Sequence, residues 1–406
     1  MTLDLTAFDP VLKDHYVGKK VNDLAYLNNP LYAMVAKNTK AGGKSSKIIQ
    51  PVKFKNPHGA SNTFANALAN KGNSEYEDFQ IPRKKVYQLA NIDNETIHAS
   101  LEDMNAFLPA MKEVDYAMKA CGDLIAHQMY RTSGGYIGTI DSTTTLASTT
   151  LVFSDSADVF NIQKGDKILF GANADGSSPR NSGATLTITA VNREAGTVTT
   201  NANISTVTGT SLGDYIFIDG CNGAALSGLA DWLPATSGGV GTLHSVDRST
   251  DVDRLGGIRR TANGEPIDET VIKLTATIAK HGGNPSHVFL NPETLSDLIL
   301  TIGSKSRYEM VGTKVKDATI GFDGFKFLAG GKTVTAYGDY NCPSNRLYVL
   351  QMDTWTLHSA GKFPMFLDRD GLLQRSATAD EYEVRCGGYG NLGCSAPGYN
   401  GVGVLS

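Results

Sequence analysis

No stretch of eighteen apolar residues occurs in this 406-residue chain, so the sequence offers no membrane-spanning helix. Its start, Met1-Thr2-Leu3-Asp4, lacks the basic-then-apolar order of a secretory signal. Cysteine is scarce. Cys121, Cys221, Cys342, Cys386 and Cys394 are odd in number and scattered, which excludes a disulfide scaffold and points to a reducing compartment. No pair has metal-site spacing: seven residues separate Cys386 from Cys394 with no His nearby, and the eight His are equally dispersed. Charged residues reach only 19% and the net charge is −4, which excludes a strongly basic nucleic-acid-binding domain. Glycine is plentiful at 43 residues, which suits many turns and long ordered loops. The length fits two or three domains, each large enough for a core.

Charge is unevenly placed. Residues 39–90 carry nine Lys and Arg against three acids, a local charge of +6 in an otherwise acidic chain. In Lys47-Ile48-Ile49-Gln50-Pro51-Val52-Lys53-Phe54-Lys55, the apolar Ile48, Val52 and Phe54 share one face and the lysines the other, the period of a half-buried strand. A polar tip, 56–73, is punctuated by Pro57, Gly59 and Gly72, and a return arm runs from Tyr76 to Ile92 with Pro82 as a bend or edge signal. A basic hairpin of this kind cannot bury a core of its own and needs another surface to lie on.

On either side of the hairpin the pattern is helical. Val21 to Asn38 reads as a short amphipathic helix interrupted at Pro30. Beyond the hairpin, Asn94 or Ser100 can cap a helical region, and Pro109 opens a straighter helix. That helix has Val114, Ala117, Met118, Cys121, Leu124, Ile125, Gln128 and Met129 on one stripe. Residues 91–131 hold seven acids against three bases, an acidic counterpart to the hairpin.

At Ser133-Gly134-Gly135 the composition changes. Residues 136–220 hold fifteen Thr, no His and no Cys, and read as short strands with turns, an inserted all-β module without catalytic groups. After Gly220 the pattern is mixed. Pro266 opens a helix with Ile267, Val271, Leu274 and Ile278 on one face, ending at Gly282-Gly283. The strand His287–Leu290 precedes an N-cap, a first-turn Pro and an acid in Asn291-Pro292-Glu293. The last ninety residues are rich in strands and end in an irregular Gly-rich tail.

Apparent catalytic motifs fail on context. Gly388-Tyr389-Gly390-Asn391-Leu392-Gly393 spells a dinucleotide fingerprint, but Cys394-Ser395-Ala396-Pro397 follows where a helix is required. Gly43-Lys44-Ser45 resembles the end of a phosphate loop, yet Asn38 stands in place of its first Gly. Asp247, Asp251 and Asp253 are spaced like calcium ligands, but Arg248 and Arg254 answer them as salt bridges and the closing Glu is missing.

The order of these elements, with several short matches, resembles the major capsid protein of tailed phages with the Hong Kong 97 fold. The matches are Lys47-Ile48-Ile49-Gln50-Pro51-Val52 entering the loop, Leu226-Ser227-Gly228-Leu229 after the insertion, and Asp247-Arg248-Ser249-Thr250. Phe289-Leu290-Asn291-Pro292-Glu293-Thr294 before a helix and Ala396-Pro397-Gly398-Tyr399 near the end complete them. The resemblance implies an α+β fold with an N-terminal arm and helix at 1–38, an extended loop at 39–90 and a peripheral domain with a spine helix at 91–135. It further implies the β module at 136–220, an axial domain at 221–345, and return strands with a C-terminal tail at 346–406. Many relatives carry an N-terminal scaffolding segment; with the loop beginning near residue 39 behind a Met, none is expected here. Some relatives weld their shells by a Lys–Asn bond. Lys53 or Lys55 could supply the amine and Asn341 or Asn345 the amide, but no local pattern matches that chemistry and no catalytic residue is carried over.

The implied function is a structural, non-enzymatic subunit without cofactor or metal, building the icosahedral head shell around double-stranded DNA. It would be assembled in the host cytoplasm and would contact DNA without sequence preference. Its partners would be copies of itself as hexamers and pentamers, with a scaffolding, portal or decoration protein as further candidates. The expected contacts set Lys53, Lys55, Arg83, Lys84 and Lys85, with the apolar Ile48, Val52 and Phe54, against Glu102, Asp103, Glu113 and Asp115 of a neighbour. Alternatives are a bacterial nanocompartment shell of the same fold, a phage tail or host-adhesion protein built around the β module, and, less favoured, a hydrolase.

Overall fold

The long helix Met104–Tyr130 and the strand Glu381–Cys394 form the axis on which the chain is built. The computed structural model describes residues 29–40, 47–94, 104–303, 309–314, 321–367, 373–376 and 379–405. The helix buries the stripe Val114, Ala117, Met118, Cys121, Ile125 and Met129, as its three- and four-residue spacing requires. It begins at Met104, so Pro109 lies in its second turn instead of opening it. The stripe packs on a six-stranded sheet centred on Glu381–Cys394. Residues 381–390 of that strand pair antiparallel with Lys84–Asp93, and residues 390–394 with Trp355–Ser359.

Two expectations fail in this sheet. Residues 21–28 lie outside the described residues, and within residues 29–38 the helix is Pro30–Met34. Val35 is extended, and Ala36–Asn38 forms a strand parallel to Trp355–Ser359, because the sheet edge offers this backbone partners. The Gly-rich tail is also regular through Cys394. Its glycines mark close packing: a Cβ on Gly388 would lie 2.3 Å from Phe363 Cδ2, and one on Gly387 2.5 Å from the Val86 carbonyl oxygen.

A second, seven-stranded sheet runs in the order Ile258–Thr261, Gly401–Val404, Arg346–Leu350, His287–Leu290, Lys332–Gly338, Gly321–Ala329, Glu309–Lys314. Helix Ile267–Lys280 covers it with Val271, Leu274 and Ile278, and Pro292–Gly303 adds Leu298. Asn291 accepts at Oδ1 from the Glu293 amide at 3.1 Å, the cap that its sequence announces. The segment after residue 345 is divided: Arg346–Leu350 and Gly401–Val404 belong here, while Trp355–Ser359 and Glu381–Cys394 belong to the first sheet.

The third sheet is built from residues 136–218 alone, in the order Tyr136–Thr139, Tyr215–Ile218, Lys167–Gly171, Thr185–Asn192, Thr197–Thr200, Thr150–Val152. Leu151, Ile168, Phe170, Val198 and Ile216 form its own core. Its two ends meet: the Gly223 amide donates to the Gly134 carbonyl at 2.7 Å.

Candidate assembly surface

The basic hairpin pairs Lys47–Lys55 with Glu75–Pro82, from Lys47 opposite Pro82 to Lys55 opposite Glu75. Pro82 is where the return arm turns: from Lys84 onward the chain leaves its hairpin partner for the long strand. The lysine face points outward as expected, with Lys47 and Lys53 exposed. Much of the apolar face is covered by the chain itself. Val52 is buried in the chain's own core with Phe79 and Ile81, and Ile48 and Phe54 pack half-buried against it. The anchor is Trp232, whose ring centroid lies 5.0 Å from that of Phe79. Hydrogen bonds to main-chain carbonyls fix the arms: the Gln80 amide donates to the His244 carbonyl at 2.9 Å, and the Arg254 side chain, through Nη1, to that of Phe54 at 2.6 Å. A hairpin alone lacks a core, and here the rest of the same chain supplies it.

The tip is different. It contains a short helix, Phe64–Ala69, with no buried residue, where the sequence shows only a polar tip punctuated by Pro and Gly. Phe64 is 83% and Leu68 52% exposed, and along the arms Ile49 and Tyr76 are exposed as well. These residues, on the outer side and tip of the hairpin, form its uncovered apolar surface.

The expected charges separate into groups. Lys55 pairs with Glu75 across its own hairpin. Lys84 is turned inward, donating to the Gly223 carbonyl at 3.0 Å; burial lowers its pKa, with Asp231 opposing that shift. Lys53 and Lys85 are exposed, and Arg83 is half-buried. Among the acids, Glu102 and Asp103 lie outside the described residues, and Glu113 falls within the spine helix. Asp115 is half-buried there, with Oδ1 lacking a hydrogen-bond partner among the described residues. Among the described residues, no ion pair joins Asp115 to the hairpin lysines.

Several buried polar residues had no signal in the sequence. Asp339 is fully buried and accepts from the Tyr130 hydroxyl at 2.9 Å, the Asn341 amide at 3.0 Å and Nδ2 at 3.3 Å, and the Leu31 amide at 3.4 Å. Burial nonetheless lifts its carboxyl to about 6. Asn341 Nδ2 also donates to Asn29 Oδ1 at 2.8 Å, and Asn29 Nδ2 to Asp123 at 2.8 Å. Asn161 of the β module donates to Asn341 Oδ1 at 3.0 Å. One network thus ties the N-terminal segment, the spine helix and the β module together. It also occupies Asn341, one of the amides considered for cross-linking.

Arg131 forms a buried ion pair with Asp158, a second tie between spine and module. Arg248 does not answer Asp247, Asp251 or Asp253 as expected. It is buried and donates to the carbonyls of Gly241 and Asp231, at 3.0 and 2.7 Å, while Asp247 accepts from Ser249. Arg254 does lie 3.7 Å from Asp251, and Arg259 instead reaches Asp253 at 3.5 Å. Among the described residues no group of three or more His, Cys, Asp or Glu is placed to hold a metal ion, and all five cysteines are unpaired.

No family model matches this sequence, and no curated protein matches it. Solved structures do match the fold. The capsid asymmetric unit of cyanophage A-1(L) is 11% identical, with 93% of this chain and 92% of that chain covered at a TM-score of 0.53. The capsid of a native GTA particle is 8% identical, covering 93% and 90% at 0.45. Mycobacterium phage Bobi is 9% identical, covering 93% and 90% at 0.44. The likeness to the cyanophage chain is one of fold.

Proposed function

We propose that this chain, folded as a phage capsid protein is folded, is a structural subunit that assembles with copies of itself into the head shell of a virion. The observation that carries this reading is the hairpin. Its root is built into the subunit, yet its tip holds a helix that buries nothing and leaves Phe64 83% exposed. A soluble monomer gains nothing from an apolar tip held out on a basic arm; a neighbouring copy gives it cover. Shell proteins need repeated complementary contacts closed by symmetry, and no catalytic group is required for that work. The β module, joined to the body through its adjacent ends, would stand on the outer face of the shell.

Negative-stain microscopy of the purified protein tests this directly. Closed polyhedral particles support the reading. A concentration-independent monomer under assembly conditions overturns it. Labelling the 136–220 module in assembled particles tests its placement, and a module protected inside the wall would refute it.

A further inference from the structure

A cleft of about 280 Å³ opens beneath the outgoing arm of the hairpin, between residues 52–56 and the turn Ser395–Tyr399. The titratable side chains that line it besides Tyr399 are Lys53, Lys55, Arg254 and His281, all basic, with no acid among them. Lys55 is answered by Glu75 across the hairpin, and Arg254 distantly by Asp251 at 3.7 Å. Lys53 and His281 are exposed and take part in no ion pair among the described residues. Phe54 and the 39%-exposed Tyr399 add an apolar wall. The cleft therefore has a standing positive charge and a shape into which a protruding acidic edge can enter.

Such an edge exists on the same chain. Asp93 and Glu381 sit directly opposite each other where Lys84–Asp93 pairs with the long strand, and Asp380 adjoins them. Like charges so placed destabilise a sheet. Among the described residues their side-chain partners are neutral: Asn91 donates to Glu381 at 3.0 Å and Asn94 to Asp380 at 3.1 Å. Among the described residues no Lys or Arg pairs with any of the three. The strand Lys84–Asp93 carries this end about 30 Å from the point where the hairpin leaves the sheet. A cation supplied by a second copy would relieve the opposed carboxylates.

We propose that the cleft formed by Lys53, Lys55, Arg254 and His281 receives the acidic sheet end Asp93–Asp380–Glu381 of a second copy of this chain. This rests on the reading of the chain as a self-assembling subunit, and it moves the acidic partner of the hairpin from the spine helix to the sheet end. The charges set register between copies, because a shifted docking leaves both patches unpaired. Salt weakens the contact, since its charges are partly exposed.

Charge reversal with rescue tests it. Two double variants, K53E/H281E and D93K/E381K, change side chains outside the buried core, with the Asn91–Glu381 hydrogen bond the one intrachain contact altered among the described residues. Each should melt close to wild type and lose shell yield about tenfold or more, by sedimentation and microscopy. The quadruple variant should recover most of that yield. If either double variant assembles as wild type, or if the quadruple variant does not recover, the docking is wrong and the shell reading stands. If wild type forms no particles, the shell reading itself falls. Should a reversal unfold the chain, K53Q/H281Q and D93N/E381Q replace it. Those variants should flatten the salt dependence of assembly, and an unchanged salt dependence would overturn the proposal.

Discussion

Tyr130 donates its hydroxyl hydrogen to Asp339 at 2.9 Å, joining the last turn of the spine helix to a loop 209 residues further on. The same carboxylate holds the Leu31 amide, so a single buried acid links three distant parts of the chain.

That acid should leave a mark on stability against pH. Burial lifts Asp339 to about 6, above an unfolded value near ~3.9. The folded chain therefore takes the proton first, and this group adds stability as pH falls from about 6 to about 4. His127 acts in the opposite sense: burial, aided by Arg131, pushes it down to about 3. The unfolded chain then takes that proton first, and stability is lost as pH falls below about 6.5. D339N should cost about 1–3 kcal/mol near neutrality, because its amide meets donors instead of acceptors. In urea melts D339N should fall further behind wild type as the pH drops, whereas H127Q should close on it.

The hairpin should divide into a root that folds and a tip that assembles. Phe79→Ala removes a fully buried ring packed on Trp232 and should cost about 3–5 kcal/mol in the subunit. Phe64→Ser, at an exposed tip, should change subunit stability by less than about 0.5 kcal/mol. It should nonetheless lower particle yield. Denaturant melts and sedimentation measure the two effects separately, and normal assembly by Phe64→Ser would show that the tip has no neighbour.

Gly388→Ala should destabilise by about 1–3 kcal/mol, because its Cβ would press on Phe363. Phe363→Leu in the same chain should recover part of that loss if the clash is its cause. Thermal melts of the single and double variants decide it.

Arg131→Met should be among the costliest substitutions, at about 3–5 kcal/mol, because it strands Asp158 as a buried unpaired charge. Replacing both partners with apolar residues should cost much less. A double-mutant cycle separates the worth of the pair from the penalty of breaking it.

The sequence was most legible where one residue type recurs with a period. The spine stripe from Val114 to Met129, the cap at Asn291 and the alternation of Val52 and Lys53 each report a local environment that periodicity encodes. It was least legible where distant segments meet. Ala36–Asn38 reads as helix because the signal for a strand lies in its partner, more than three hundred residues away. Gly387 to Gly393 reads as an irregular tail because glycine signals flexibility locally and tight packing only in context. For the hairpin, charge alone indicated that it needs another surface. That its apolar face is already covered by Trp232 required the tertiary structure. The acid excess of the spine region is a property of composition, and composition does not distinguish a half-buried Asp115 from an exposed Asp93.

The hydrogen bond from Gly223 to Gly134 has an engineering consequence. Entry and exit of the β module lie side by side, so the main chain crosses its base as a closed turn would, while Asp158 and Asn161 tie the module to Arg131 and Asn341 of the body. A foreign domain whose own termini are neighbours could take its place without stretching the main chain, once Arg131 is replaced by an apolar residue so that no buried charge is left unpaired. If the shell reading holds, each particle would then present its cargo once per subunit, at a spacing fixed by the lattice and not by any linker.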